Sequence, residues 1–393
     1  MVVGLCIFLA YGTTAAVARQ VGAGRRPEAL AQGVDGLWLA ALIGAVVTVV
    51  GYVSTDPLIG LFDVEAGVAD AASTYLGLAW LGLMPMLLVL AATGVLRGLH
   101  DTRTPLYVAV AASLANIILN VLLVYGFDLG IAGSALGTDL AQLGAAVALV
   151  SVVVRLARRE GASLRPDLPG VRRSAHAGGP LLVRTLSLQA SLVAMTWCSA
   201  GLGATAVATH QLASTVWTFL AYALDAVAIA AQAITGTALG AGDLARTRRT
   251  TDRMIQIGWV SGGVTGVLLA LTAPVLGPLF TDDPEVVELL GRVLLVAALF
   301  QPLAGVVFVL DGVLIGAGDG RYLAAGGVAV TAAFIPVALL TVELVDGAAA
   351  SLVWLWVAFG AVFIGGRAAV LLHRARSDVW MVAGSTPTSG AAH

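Results

Sequence analysis

Three carboxylates stand in the middle of long apolar stretches, where an ionisable side chain is costly to place. They are Asp139, Asp225 and Asp311. Placing a charge at the centre of a membrane costs about 3 kcal/mol on insertion scales, so each acid is a candidate for binding an ion or a proton. Two readings of Asp225 stay open: it couples cation entry to transport, or it is a structural partner of Arg184 or of free helix ends. Asp311 lies about one to two helical turns before Gly316, which suits a gate or an anchor that pairs with an arginine.

Two further polar side chains stand near the start of the second half of the chain. Arg184 either snorkels to lipid headgroups or holds a neighbouring loop or an anion. Gln189 can line a cleft. A membrane enzyme would need paired Asp-rich motifs or a histidine cluster, and the five histidines are scattered instead. We therefore expect no enzyme activity, no resident metal or other cofactor, and no nucleic-acid partner.

Composition indicates what kind of protein carries these residues. Of 393 residues, 59% are hydrophobic and 11% are charged, and the mean hydropathy is +0.94. These values are typical of a polytopic membrane protein. Apolar runs long enough to cross about 30 Å of hydrocarbon predict eleven helical spans in an all-α fold. The runs cover residues 1–20, 36–54, 70–96, 105–125, 131–154, 180–200, 206–238, 255–278, 285–315, 322–342 and 349–372.

Charge distribution predicts the orientation of the spans. Nearly all of the 21 basic residues, every one an arginine, fall in one set of loops, and acidic residues dominate the opposite set. The positive-inside rule places the arginine-rich loops and the C-terminus in the cytoplasm. We therefore expect a multi-pass protein of the plasma (inner) membrane. The same rule places Met1 outside, whereas one more helix before it would return both ends to the cytoplasm.

The chain also repeats itself at an offset of 218 residues, so that Gly94 recurs as Gly312 and Asp101 as Asp319. The repeat predicts an N-terminal lobe at 1–155 and a C-terminal lobe at 179–376. The arginines, prolines and glycines between them predict a cytoplasmic linker at 156–178, and the small, polar end of the chain predicts a disordered tail at 377–393. The second copy starts with about forty residues, roughly one span plus a turn, that have no counterpart in the first copy. Two prolines at nearly equivalent positions, Pro85 and Pro302, are candidate hinges.

Several stretches of both halves match a known pattern in order and spacing: Tyr11 to Arg19, Gly22 to Gly24, Gly94 to Asp101, Asn116 to Thr138, Arg184 to Leu186, Ala208 to Gln211, Asp225 to Gly242, and Asp311-Gly312. Together they resemble the multidrug and toxic compound extrusion family, in particular its subgroup related to DNA-damage-inducible protein F. The resemblance implies two six-helix lobes around a central cleft, the first of them shortened here to five helices, and alternating access coupled to proton or sodium entry.

The resemblance also marks departures in the N-terminal lobe. The buried acid of the family's first helix has no counterpart here. The family's fifth helix carries an asparagine and, four residues later, an aspartate, whereas this chain has Asn116 and Asn120. Thr138 matches a polar contact of the sixth helix, and Asp139 beside it is a candidate substitute for the missing acid. Adjacent helical residues point about 100° apart, so Thr138 and Asp139 cannot both face one narrow site squarely.

The function expected from the residues and the resemblance is secondary active multidrug efflux by cation-coupled antiport, with H⁺ or Na⁺ as the coupling ion. The expected substrates are small amphipathic, often cationic molecules, and the expected state is a monomer in the bilayer. A flippase for lipid-linked sugars of related architecture is the alternative transporter, although its cationic cavity would need more than the single intramembrane arginine Arg184. An incomplete, inactive transporter is the third reading.

Overall fold

The computed structural model describes residues 4, 6–61 and 65–385, and within these ranges all regular structure is helical. Eleven helices follow one another, and ten of them are long and apolar enough to span a membrane. This confirms the all-α, polytopic fold. The helices are α1 Phe8–Gly22, α2 Arg26–Ile59, α3 Ala66–Gly98, α4 Arg103–Gly126, α5 Gly130–Arg159, α6 Leu168–Ala200, α7 Ala204–Gly240, α8 Leu244–Phe280, α9 Pro284–Gly316, α10 Gly320–Leu344 and α11 Ala348–Arg376.

Glycines end α1 and α7 in the same way. Gly24 has φ +73° and Gly242 has φ +75°, values in the left-handed region that glycine adopts without steric cost. The Gly24 amide donates to the Val21 carbonyl at 3.0 Å, and the Gly242 amide donates to the Leu239 carbonyl at 3.1 Å. These bonds satisfy carbonyls that a helix end leaves open. The glycine-rich segments are therefore helix terminations.

The helices form two compact units, Met1–Gly178 and Gly179–His393. In the first, α3 packs against α1, α2 and α5, and α4 packs against α5. In the second, α9 packs against α7, α8 and α11. The central helices α3 and α9 are related by the 218-residue offset. The repeat seen in the sequence is thus a repeat of helix packing.

Both candidate hinge prolines lie inside unbroken helices. Pro85 is part of α3, and Pro302 is part of α9. Two π-helical turns also occur among the described helices: Leu122–Gly126 ends α4, and Phe359–Ile364 interrupts α11. A π turn shifts the helical hydrogen bonding by one residue and often marks a functional region.

The segment expected to link the lobes is mostly helical. Residues up to Arg159 belong to α5 and those from Leu168 onward to α6, so residues 160–167 alone lie between helices. The start of α6 packs within the first unit, where Arg173, Ser174 and Ala177 line a small pocket together with Phe8 and Thr13 of α1.

The expected disorder of residues 377–393 is wrong for the part up to residue 385, and residues 386–393 lie outside the described ranges. Trp380 is 2% exposed, and its indole Nε1 donates to the Ala375 carbonyl at 3.4 Å. Arg248 of α8 donates to the Ser377 carbonyl at 3.0 Å and pairs with the Asp378 carboxylate. Burial of one large aromatic side chain and an arginine clamp hold this segment against the second unit.

Candidate functional site

A buried ion cluster in the second unit joins three helices. Arg184 of α6 donates to Asp311 of α9, with Nε at 3.3 Å from Oδ1 and a closer contact from Nη2 to Oδ2. Arg367 of α11 reaches the same carboxylate, with Nη2 at 3.2 Å from Oδ2. The Asp311 side chain is 7% exposed and both arginine side chains are 11% exposed. A carboxylate with two guanidinium partners is a strong charge-assisted anchor.

The cluster lines a small pocket whose other walls are apolar. Leu188, Leu323, Val370 and Leu371 complete it, together with Gly326 and Gly327 of α10. The Arg367 guanidinium also stands 5.8 Å from the centre of the Phe363 ring, in the range of a cation–π contact. Arg184 and Asp311 are therefore brought together as the anchor that the sequence suggested for Asp311. Arg367 is a third member that the sequence did not reveal.

An aromatic column continues from Phe363 along the π turn of α11. Phe363 stacks on Phe359 with ring centres 5.1 Å apart, and Phe359 meets Trp217 of α7 at 5.2 Å and Trp356 at 5.7 Å. Such pairs contribute about 0.5–1.5 kcal/mol each beyond burial. The column fixes α7 against α11 in the second unit.

The polar cluster of the first unit joins α4 and α5. Asn116 Nδ2 donates to Thr138 Oγ1 at 3.1 Å, and Asn120 Nδ2 donates to the Asn116 carbonyl at 2.9 Å. Thr138 in turn donates to the Ser134 carbonyl at 3.0 Å. Asn116 and Asn120 are half-buried, and Thr138 is exposed. The structure brings these three predicted residues together, on neutral hydrogen bonds alone.

Asp139 turns to a different helix from Thr138. Its half-buried carboxylate lies against Gly82 of α3, and a Cβ built on Gly82 would stand 2.7 Å from Asp139 Cγ and overlap Oδ1. The absent side chain of Gly82 thus makes room for the acid. The polar residues of α5 therefore make two separate contacts: Thr138 bonds Asn116 of α4, and Asp139 lies against Gly82 of α3.

The remaining candidates, Asp225 and Gln189, lie on α7 and α6, two helices that are consecutive in the chain. Asp225 is half-buried on α7, fifteen residues before its end at Gly240. Gln189 is half-buried on α6, five residues beyond Arg184. The described residues hold no group of three or more His, Cys, Asp or Glu side chains that could bind a metal ion.

Sequence reasoning missed a buried acid of the first unit. Asp35 of α2 is 6% exposed and accepts a hydrogen bond at 3.1 Å from the backbone amide of Asp167, just before α6. Asp167 in turn accepts a bond at 3.1 Å from the Gly170 amide and caps the helix. The sequence carries a weak signal for this acid, because Asp35 lies one residue before the predicted span 36–54.

Fold and buried polar groups together define a multi-pass α-helical membrane protein built on an internal repeat. A family model, MatE, matches residues 1–122 and 180–342. The chain belongs to the MatE family, whose members are transporters and not enzymes. This confirms the resemblance that the sequence motifs indicated.

Similar proteins come from plants and bacteria. The chain is 30% identical to Protein DETOXIFICATION 44, chloroplastic, of Arabidopsis thaliana over 72% of its own length and 54% of that protein. It is 29% identical to DNA damage-inducible protein F of Escherichia coli over 96% of its length and 83% of that protein. It is also 30% identical to a Probable multidrug resistance protein NorM of Bradyrhizobium diazoefficiens, over 73% of its length and 64% of that protein. The chain thus spans about half the length of the plant relatives it matches.

Solved structures share the fold. The Vibrio cholerae MATE transporter VcmN in its bent form superposes with a TM-score of 0.84 at 22% identity, covering 96% of this chain and 86% of that one. A MOP superfamily transporter from Pyrococcus furiosus gives a TM-score of 0.83 at 20% identity, covering 95% and 84%. At these identities the likeness shows the fold alone.

Proposed function

We propose that this chain is a secondary active exporter of small amphipathic compounds, many of them cationic, driven by the entry of H⁺ or Na⁺. The observation that carries the proposal is the presence of half-buried carboxylates, Asp225 and Asp139, inside membrane-length helices of a MatE-family transporter. An acid in the hydrocarbon region can bind and release a cation. The names of the NorM relatives support a role in drug efflux.

Coupling requires that cation and substrate bind unequally to two conformations of the transporter. A cation on Asp225 or Asp139 neutralises a charge in the membrane, and this shifts the equilibrium only as far as its affinity differs between the inward- and outward-facing states. Alternating access by a monomer is the simplest scheme of this kind. The arginine-rich loops support a cytoplasmic C-terminus.

The arginines of the second unit give little support to the alternative function, a flippase for lipid-linked sugars. Arg367 adds a second guanidinium to Arg184, but both side chains are engaged with Asp311. A cavity for a pyrophosphate headgroup would need cationic groups directed at the ligand. Efflux is therefore the function that we propose.

Transport by the full chain in proteoliposomes tests this proposal. Uptake of a fluorescent cationic dye is measured under an imposed proton gradient and, separately, an imposed sodium gradient. We expect uptake under one gradient, and its loss in the double variant Asp139→Asn/Asp225→Asn. A matched control, the double variant Asp70→Asn/Asp346→Asn, changes two exposed acids and should transport as the wild type does.

Three outcomes would contradict the proposal. Gradient-driven transport that persists in the Asp139→Asn/Asp225→Asn variant overturns the assignment of the coupling residues. Movement of a pyrophosphate-linked lipid in place of the dye supports the flippase. No transport of either compound by a folded, monodisperse protein indicates an inactive chain.

A further inference from the structure

The connection between α5 and α6 lies against α2 near the level at which the predicted membrane span of α2 begins. The Trp38 indole Nε1 donates to the Leu164 carbonyl at 3.2 Å, and the Asp167 amide donates to Asp35 Oδ1 at 3.1 Å. The predicted span covers residues 36–54, so Leu164 and Asp167 are held beside its first turn. A tryptophan at such a level is typical of the boundary between hydrocarbon and water.

Two large apolar side chains are exposed at this level. Leu168, which begins α6, is 78% exposed, and Trp38 is 47% exposed. Because the indole N–H of Trp38 is bonded to a carbonyl, the side chain presents an apolar ring outward. Covering both side chains with the glycerol region and first acyl carbons of a lipid removes apolar surface from water, which is favourable.

The same segment carries an excess of positive charge. Residues 155–176 contain six arginines and two acids. Both acids are paired, since Glu160 and Asp167 each lie beside an arginine, at 3.1 Å and 3.3 Å. Arg165 and Arg172 are exposed, and neither takes part in an ion pair among the described residues. Their two charges can therefore attract an anion from outside the protein.

The two arginines flank the exposed leucine. Arg165 directly follows Leu164, the residue bonded to Trp38. Arg172 lies one turn beyond Leu168 on the same face of α6, and side chains of a helix lean towards its N-terminus. An arginine can lay its methylene stem on apolar surface while its guanidinium reaches the headgroups. Guanidiniums also bind phosphate oxygens through paired hydrogen bonds. Trp38, Arg165, Leu168 and Arg172 are named the interfacial patch.

We propose that the interfacial patch binds an anionic phospholipid of the leaflet on the arginine-rich side of the membrane. Arg165 and Arg172 bind the headgroup phosphate, and Trp38 and Leu168 contact the glycerol region and the first acyl carbons. A choline or ethanolamine headgroup would add a positive charge beside two guanidiniums, so an anionic lipid fits better. The bound lipid ties the connection between α5 and α6 to the membrane surface. This role does not depend on the transported compound or the coupling ion.

Native mass spectrometry of the full chain in a neutral detergent tests which ligand binds. Phosphatidylglycerol, phosphatidylcholine and inorganic phosphate are titrated separately. We expect phosphatidylglycerol to bind at least tenfold more tightly than either of the other two. Equal affinity for the two lipids would overturn the proposal. Inorganic phosphate that binds as tightly as phosphatidylglycerol would also overturn it, because the apolar part of the patch would then contribute nothing.

Hydrogen exchange over residues 160–172 locates the lipid on the protein. We expect phosphatidylglycerol, and not phosphatidylcholine, to slow exchange there. In the double variant Arg165→Gln/Arg172→Gln the half-saturating phosphatidylglycerol concentration should rise about thirtyfold, because each arginine near a membrane surface contributes about fivefold. The matched control Arg246→Gln/Arg249→Gln removes two exposed arginines near the start of α8 and should leave that concentration unchanged.

Leu168→Ala tests the apolar part of the patch. We expect phosphatidylglycerol to bind about tenfold more weakly, because the leucine loses its contact with the lipid. The thermal unfolding midpoint should not change, because the side chain is exposed. Equal losses of binding in the two double arginine variants would indicate diffuse attraction to positive charge and would overturn the site. Exchange over residues 160–172 that does not respond to phosphatidylglycerol would overturn it as well.

Discussion

Gly94 of α3 lies so close to Ala10 of α1 that a Cβ on the glycine would stand 2.6 Å from the alanine carbonyl oxygen. One repeat of 218 residues later, Gly312 of α9 lies against the Ala228 carbonyl of α7 in the same way. Helices in lipid gain little from the hydrophobic effect on meeting each other, so small residues that allow close approach drive their association. The same kind of backbone-to-backbone contact therefore occurs once within each unit.

Two adjacent glycines of α8, Gly262 and Gly263, allow a direct test of this close helix packing. A Cβ on Gly262 would overlap the Gln301 carbonyl and stand 2.8 Å from Pro302 Cα, whereas a Cβ on Gly263 meets nothing within 4 Å. We expect Gly262→Ala to destabilise the protein by about 1–3 kcal/mol through overpacking. Gly263→Ala should be neutral or stabilising by up to about 1 kcal/mol, because alanine favours the helix. Thermal unfolding in detergent compares the two, and equal midpoints would contradict the close approach of α8 and α9.

The ion cluster predicts an effect of Asp311→Asn on folding. Removing the carboxylate charge leaves two largely buried guanidiniums without their shared counter-ion, and we expect a loss of about 3–5 kcal/mol. Glu288→Gln is the control, because its pair with Arg292 is exposed and such pairs contribute about 0–1 kcal/mol. Denaturant unfolding of the purified variants measures both. If Asp311→Asn lowers the free energy of unfolding no more than Glu288→Gln does, the ion cluster of Arg184, Asp311 and Arg367 does not form as described.

The packed segment after α11 predicts that Trp380→Ala destabilises the second unit. Trp380 is 2% exposed, and truncating a buried aromatic residue costs about 3–5 kcal/mol. Its neighbour Val379 is 68% exposed, so Val379→Ala should change little. Differential scanning calorimetry compares the two variants, and matching transitions would show that the segment is not packed against the rest of the second unit.

The bond between Asp35 and the Asp167 amide predicts how the segment before α6 exchanges hydrogen. Asp35→Leu removes the acceptor, and the Asp167 amide should exchange faster with solvent deuterium because its 3.1 Å bond is lost. Asp35→Asn retains an oxygen that can accept the same bond and should keep most of the protection. Peptide-resolved hydrogen exchange over residues 160–171 is the measurement. Equal protection in the leucine variant would refute this tie between α2 and α6.

Much of the fold follows from the sequence because its signals are local. A membrane helix satisfies its own backbone hydrogen bonds, so an apolar run of sufficient length predicts one directly. Eleven runs predicted eleven helices, and the glycines at 24 and 242 predicted two of their ends. From the second span onward, the predicted spans are shorter than the helices, because helical structure extends beyond the hydrocarbon into the polar regions.

The partners of each polar side chain were decided by the tertiary structure alone. The sequence marks Asp311 and Arg184 as costly residues to bury, yet nothing local connects them with Arg367, 56 positions beyond Asp311. Nor does it distinguish Asp139 from Thr138, which turn to α3 and α4 respectively. Helix periodicity fixes the angle between neighbours along one helix. Which helix each side chain meets depends on how closely two helix backbones can approach. A glycine on the facing helix permits that close approach because it has no side chain, as at Gly82, Gly94, Gly262 and Gly312.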